Sequence, residues 1–201
     1  MAEFKAPYFH KEDLQARAEA FLMKNHPSRS IPVPVEHIIE RMGVNIVPIP
    51  DLQLSCDVDA YTTGDLSTIY VEEFVYLHRP GRYRFTLAHE AGHIVLHADL
   101  FRSMKFKSFR DWKAFVRSIP DRDYGYLEYH ANEFAGHLLM PRRELLQEVE
   151  VCKGTVLEVI PEAPKDPDAF RDFVAACIAH RFDVSSPAAT IRLNNEKVRF
   201  D

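Results

Sequence analysis

Residues 84–97 read RFTLAHEAGHIVLH, and two histidines in this stretch, His89 and His93, stand four positions apart. The surrounding residues are mainly apolar, which predicts a helix over about 82–98. Residues four apart lie on the same face of an α-helix, so both imidazoles can face a single cation. Glu90 lies one position beyond His89 and can reach a water molecule beside that cation without binding it. This spacing predicts a metal site on the helix.

The HExxH spacing is typical of zinc hydrolases, in which two histidines bind the metal and the glutamate acts as general base. Zinc lowers the pKa of a bound water to about 7, so one carboxylate is enough to activate it at neutral pH. The alternative is a pair of ordinary helical histidines. Under this alternative, two histidines and a glutamate would lie in an apolar helix with no metal to offset the free-energy cost of burying them. We therefore predict His89 and His93 as metal ligands and Glu90 as the general base.

A catalytic zinc site needs a third protein ligand and one open position. His97 continues the spacing of four, but it lies further round the helix and near its end, where the helix dipole favours a histidine. The segment LEYHANEFAGHLLMP (127–141) is also predicted to be helical and places Glu128 and Asn132 four residues apart on one face. Its small residues would allow the two helices to approach closely. Glu128 is therefore the predicted third ligand, and Asn132 is predicted to orient a ligating histidine.

The composition is that of a globular protein, with 201 residues of which 46% are hydrophobic and 27% charged. The formal net charge of −5 argues against binding of the whole chain to nucleic acid or to an anionic membrane. No run is long enough to span a bilayer, and residues 1–21 lack the apolar core of a signal peptide. Cys56, Cys152 and Cys177 are widely spaced and odd in number, which predicts reduced thiols and a cytoplasmic location.

The remaining pattern predicts an α+β fold, with a zincin-like helical core and a small antiparallel sheet on one side. Residues 57–63 and 67–72 alternate around Gly64-Asp65 and predict a β-hairpin. The proline-containing stretch 44–50 predicts an edge strand. Further helices are predicted at 11–25, 34–42, 105–117, 126–140 and 168–181 and after Ser185-Ser186-Pro187, and loops at 120–125 and 153–167.

The two motif segments together resemble the ImmA/IrrE family of bacterial metallopeptidases. RFTLAHEAGHIVLH (84–97) is followed by ExxANxFAxxLLMP (128–141), and a weaker similarity extends over about 8–198. The resemblance implies a gluzincin-like fold in which the two histidines of HExxH and the glutamate of ExxAN bind zinc, with the HExxH glutamate catalytic. These four positions are the ones already predicted from spacing.

The resemblance also implies a function in bacterial gene regulation. Family members commonly cleave helix-turn-helix repressors and so switch on stress-response, phage or mobile-element genes. No complete helix-turn-helix domain is recognisable within 1–201, so the expected substrate is a separate repressor or antitoxin. We expect one metallopeptidase domain, with a catalytic core at 8–150 and a helical extension at 151–201. Manganese is the alternative metal, although two histidines and a glutamate favour zinc.

Other interpretations remain open. A metal-stabilised, non-proteolytic module could regulate by sequestering a repressor or toxin partner. Residues 101–117 combine basic and aromatic side chains and could wall the cleft, receive a protein substrate or bind single-stranded nucleic acid. An amphipathic helix packed on the domain with a solvated basic face is favoured. The faint helix-turn-helix pattern at 168–201 has balanced charges, which favours packing over DNA binding. The sequence does not choose among five candidates for stabilising an oxyanion: Tyr76, His78, Tyr124, Tyr126 and His130.

Overall fold

A computed structural model gives the structure of residues 5–104, 106 and 108–200. Within these residues helices surround a small sheet, which confirms the predicted α+β class. The elements in chain order are α1 (Lys11–Asn25), α2 (Val35–Arg41), β1 (Asn45–Ile49), α3 (Leu52–Cys56), β2 (Ala60–Thr62), β3 (Thr68–Glu72), α4 (Glu73–His78), α5 (Pro80–Leu96), α6 (Ala98–Met104), α7 (Phe109–Ser118), α8 (Asp121–Leu139), α9 (Arg142–Val159), a 3-10 turn (Ala163–Lys165), α10 (Pro167–Phe182) and α11 (Ser186–Asn195).

The sheet has the strand order β1-β3-β2. The predicted hairpin is present, since β2 and β3 pair antiparallel with Ala60 opposite Val71. The predicted edge strand is also present, but β1 runs parallel to β3, with Asn45 opposite Thr68. The prediction of an antiparallel sheet is therefore wrong for β1. The reason is that β3 lies between β1 and β2 in the sheet. Strand β1 therefore pairs with β3 and not with β2, and β3 runs in the same direction as β1.

The two motif helices, α5 and α8, pack closely against each other. A Cβ atom added to Gly92 of α5 would lie 3.0 Å from Cα and 3.2 Å from the carbonyl oxygen of Ala131 on α8. Such distances are shorter than ordinary carbon contacts, so a side chain at this position would require the neighbouring backbone to shift. The predicted role of small residues in the second motif is confirmed at Ala131.

Helix α8 begins earlier than predicted, at Asp121, so the loop predicted at 120–125 is wrong. Asp121 and Asp123 lie in the first turn, where acidic side chains interact favourably with the helix dipole. On its other side α8 packs against α1, with the rings of Phe21 and Phe134 5.8 Å apart. Helix α8 therefore contacts both α5 and α1.

Helix α9 replaces the first half of the connector predicted at 153–167. It continues to Val159 because Val149, Cys152 and Val156 form a buried stripe at helical spacing. The prolines that suggested a connector all come after this point, at 161–167.

Cys152 of α9 and Cys177 of α10 form a disulfide, with their Cα atoms 5.8 Å apart. The prediction of three reduced thiols is therefore wrong for this pair. Cys56 is the free cysteine of the described residues and is partly exposed. The bond depends on the packing of α9 against α10, which the sequence separation of 25 residues does not reveal.

The basic and aromatic stretch 101–117 forms the end of α6 and most of α7, but Lys105 and Lys107 lie outside the described residues, as do residues 1–4 of the N-terminal prediction. Trp112 and Phe115 of α7 are buried in an aromatic cluster that includes Tyr61 of β2. The favoured amphipathic helix is thus present from Phe109 onward. Among the described helices none is both long and apolar enough to cross a bilayer.

Candidate metal centre

Side chains from α5 and α8 converge on one point. Nε2 of His89 lies 3.0 Å from Nε2 of His93. Oε2 of Glu128 lies 3.3 Å from Nε2 of His89. Its other carboxylate oxygen, Oε1, lies 3.6 Å from Nε2 of His93. Zinc bonds of about 2.0–2.1 Å at tetrahedral angles would place the ligand atoms about 3.3 Å apart. The three donors predicted from the sequence therefore have the spacing of a common zinc coordination sphere.

The charges of these groups are strongly coupled. Burial opposes ionisation of Glu128, but hydrogen bonds from His89 and His93 outweigh it and hold the pKa of the carboxyl well below its usual value. Burial likewise favours a neutral His89, yet the hydrogen bond to Glu128 and the charge of Glu90 raise its pKa. A metal ion would have to displace protons from this cluster, so its affinity must fall at acid pH.

Asn132 lies one turn beyond Glu128 and contacts the first ligand. Its Oδ1 atom is 2.9 Å from Nδ1 of His89. An amide oxygen only accepts, so Nδ1 donates to it; once Nε2 gives up the proton that it shares with Glu128, its electron pair is free to bind a metal ion. This is the contact that the sequence predicted for Asn132.

His97 lies behind the second ligand. Its Nδ1 is 3.0 Å from Nδ1 of His93, and its Nε2 is 3.4 Å from Nδ1 of His130. Burial, followed by the neighbouring imidazoles, lowers the pKa of His97 to about 2, so the ring is neutral. Sequence reasoning assigned His97 only to the helix end and missed this contact. The spacing of four residues between His93 and His97 was the sequence signal that could have indicated this contact.

The carboxylate of Glu90 is held by the sheet. Thr62 of β2 is buried, and its Oγ1 donates a hydrogen bond of 2.6 Å to Oε2 of Glu90. The bond fixes one oxygen and leaves Oε1 for chemistry at the cleft. Sequence reasoning missed Thr62, because no local pattern connects a strand residue to a helix residue 28 positions later.

The site opens into a cleft of about 440 Å³ between β2, α5, α7 and α8. Trp112 and Phe115 of α7 form part of its wall, as the sequence suggested for this segment. Of the five oxyanion candidates, Tyr124 lines the cleft, whereas the described lining does not include Tyr76, His78, Tyr126 or His130. Burial, together with the charge of Glu128 and a hydrogen bond to it, raises the pKa of Tyr124. The phenol therefore stays protonated and can donate a hydrogen bond.

Comparison with known proteins agrees with this arrangement. The model of a peptidase family, the IrrE N-terminal-like domain, matches residues 39–194. No curated protein matches the chain. Among solved structures, a Mycobacterium tuberculosis transcriptional regulator has a similar fold, with a TM-score of 0.54 and 21% sequence identity. The match covers 93% of this chain and 56% of the regulator, so the chain spans little more than half the length of that protein.

Proposed function

Because the chain belongs to the peptidase family of the IrrE N-terminal-like domain, we propose that it is a zinc-dependent endopeptidase that cleaves a specific regulatory protein. The observation that carries this proposal is the convergence of His89, His93 and Glu128 beside Glu90 at an open cleft. Family membership supports the class of metallopeptidase, and the donor set supports a bound metal.

The donor set fits zinc, since it offers two imidazole nitrogens and one carboxylate at tetrahedral spacing. In this proposal His89, His93 and Glu128 hold the ion, and manganese is the alternative metal. A bound zinc ion supplies a Lewis acid and lowers the pKa of water in the site. Asn132 and His97 fix the two imidazole rings through their second nitrogen atoms.

Glu90 is the proposed general base. As water adds to the scissile carbonyl carbon, Glu90 takes up its proton and then passes the proton to the amide nitrogen that leaves as an amine. Thr62 keeps the carboxylate directed into the cleft during both transfers. The Tyr124 hydroxyl is the proposed donor to the carbonyl oxygen, which gains negative charge as the carbon becomes tetrahedral; its single proton would turn from Glu128 to that oxygen.

The proposed substrate binds as an extended chain. β2 lies at an edge of the sheet, and Ala60, Tyr61 and Thr62 all line the cleft. One side of β2 pairs with β3, so its other side can pair with a peptide main chain.

We propose a helix-turn-helix repressor or antitoxin as the target. The motif resemblance supports this class of substrate, and the solved structure with a similar fold is named a transcriptional regulator. A cytoplasmic location follows from such a target. It no longer has the support of free thiols, because Cys152 and Cys177 form a disulfide.

The test is incubation of the zinc-loaded protein with purified helix-turn-helix repressors, followed by mass spectrometry of the products. We expect new fragments from one repressor, and none in the presence of a chelator or with Glu90→Gln. That variant should bind zinc as the wild type does. A stable complex in which the repressor stays intact would contradict the peptidase and support the sequestering module instead.

A further inference from the structure

A second groove opens beside the catalytic cleft. It has a volume of about 580 Å³ and lies between α5, α8 and α11. Arg82, Phe85 and Asn132 line both the cleft and the groove, so the two spaces are neighbours. Asn132 also contacts Nδ1 of His89. The groove therefore begins one side chain away from a metal ligand.

Most of the surface that lines this groove is apolar. Phe85, Pro187, Ala188 and Ile191 contribute to its wall, and Ile191 is 62% exposed. Concave surfaces lined mainly by apolar side chains are the usual setting of ligand-binding sites.

Several polar side chains that line the groove form hydrogen bonds with other residues of the protein. Nε2 of His137 and Nε of Arg192 have no hydrogen-bond partner among the described residues but are buried, so the surface that these side chains present to the groove is mainly carbon. This chemistry suits an apolar ligand and does not suit an ion. The pairs are Arg82 with Asp59, Asn195 with Glu133, and Arg192 with His137.

The floor of the groove is open at Gly136 of α8. A Cβ atom added there would have Arg192 Cδ at 3.5 Å as its neighbour, which is an ordinary contact. Packing of the protein itself therefore does not require glycine at this position. Its absent side chain leaves room for a group from outside.

The geometry points to a substrate subsite: the groove binds a large apolar side chain of the cleaved protein, on one side of the scissile bond. This inference rests on the proposed peptidase function. The substrate is the occupant we propose because Arg82, Phe85 and Asn132 belong to the walls of both spaces, so a chain bound in the cleft that continues past them reaches the groove. A large apolar residue at that place would enter it without separating any of the internal polar pairs.

The first test measures binding with the zinc-loaded Glu90→Gln protein. The probes are capped Gly/Ser-rich peptides that carry a single Phe at successive positions, and affinity is read by fluorescence anisotropy. Burial of a Phe side chain should raise affinity about tenfold or more at one position. Ile191→Lys should abolish that gain. Val151→Lys is the matched control, because Val151 is also β-branched, lies within a helix and is exposed, but lines neither space.

The second test measures cleavage of the same peptides by the wild type. We expect kcat/KM to be highest with Phe at the position found by binding. Equal cleavage of all peptides, or a Phe gain that survives in Ile191→Lys, overturns the subsite and leaves the peptidase standing. A Phe gain in binding with no cleavage of these peptides supports the groove, and incubation with repressors then decides whether the protein is a peptidase. A wild-type dimer that Ile191→Lys dissociates in sedimentation assigns the groove to a second copy and overturns the inference.

Discussion

Replacement of Gly92 by alanine should weaken zinc binding although it removes no ligand. The added Cβ would lie 3.0 Å from Cα of Ala131, where carbon atoms prefer about 3.5–4.0 Å. Helices α5 and α8 would have to separate by about 0.5 Å, and protein metal sites tolerate deviations of about 0.2 Å. Since α5 carries both histidines and α8 carries Glu128, this separation stretches the site itself.

We expect Gly92→Ala to lower zinc affinity about 10- to 100-fold, the range found when groups that support metal ligands are removed. The free energy of unfolding of the metal-free protein should change less than the free energy of zinc binding. Overpacking costs about 1–3 kcal/mol, and the better helix propensity of alanine offsets about 1 kcal/mol of it. Competition with a chromophoric chelator measures the affinity, and urea unfolding of the metal-free protein measures the stability.

Gly154→Ala is the control for this experiment. Gly154 lies within α9 and an added Cβ meets nothing within 4 Å, so the variant should bind zinc normally and gain up to about 1 kcal/mol of stability. If Gly92→Ala binds zinc within twofold of the wild type, the close approach at Ala131 does not determine the dimensions of the site and the reasoning fails.

Other predictions concern the neighbours of the site and helix α8. Thr62→Val should lower kcat about 10- to 100-fold with unchanged zinc affinity, because a hydrogen bond to the Glu90 carboxylate is worth about 1.5–3 kcal/mol; steady-state kinetics checks this, with Thr62→Ser as the variant that restores activity. His97→Phe should lower zinc affinity about 10- to 100-fold by freeing the His93 ring, as chelator competition would show; wild-type affinity would contradict a positioning role. Burial and a neighbouring arginine lower the pKa of His137 from 6.5 to about 4, so the unfolded chain binds a proton that the folded protein does not. Urea unfolding should therefore show that the free energy of unfolding falls by roughly 3 kcal/mol as the pH is lowered from 6.5 to about 4. The His137→Gln variant should lack this contribution.

The helices and the three metal-binding side chains could be predicted from the sequence because the patterns that indicate them are local. His89 and His93 are one helical turn apart, so their common face follows from helix geometry alone. The hairpin followed from a turn pair, Gly64-Asp65, between two alternating stretches. Glu128 needed a second motif, and its small neighbours indicated that the two helices could meet.

Contacts between distant parts of the chain were not accessible in this way. The Thr62–Glu90 hydrogen bond depends on how β2 lies across α5, and no periodicity reports that. The parallel pairing of β1 depends on the insertion of β3 between two strands that are neighbours in sequence. Composition suggested free thiols, whereas the packing of α9 on α10 brings Cys152 and Cys177 together.

The position of β2 at the sheet edge has a consequence for the timing of cleavage. A strand edge can pair only with a main chain whose amides are unbonded, and a folded helix has already used its own. A target would therefore be cut only during moments when a short stretch of it opens. Each 1.4 kcal/mol of opening free energy in the target would slow its destruction about tenfold. In the proposed peptidase, any change in the opening free energy of the target would then control the rate of cleavage.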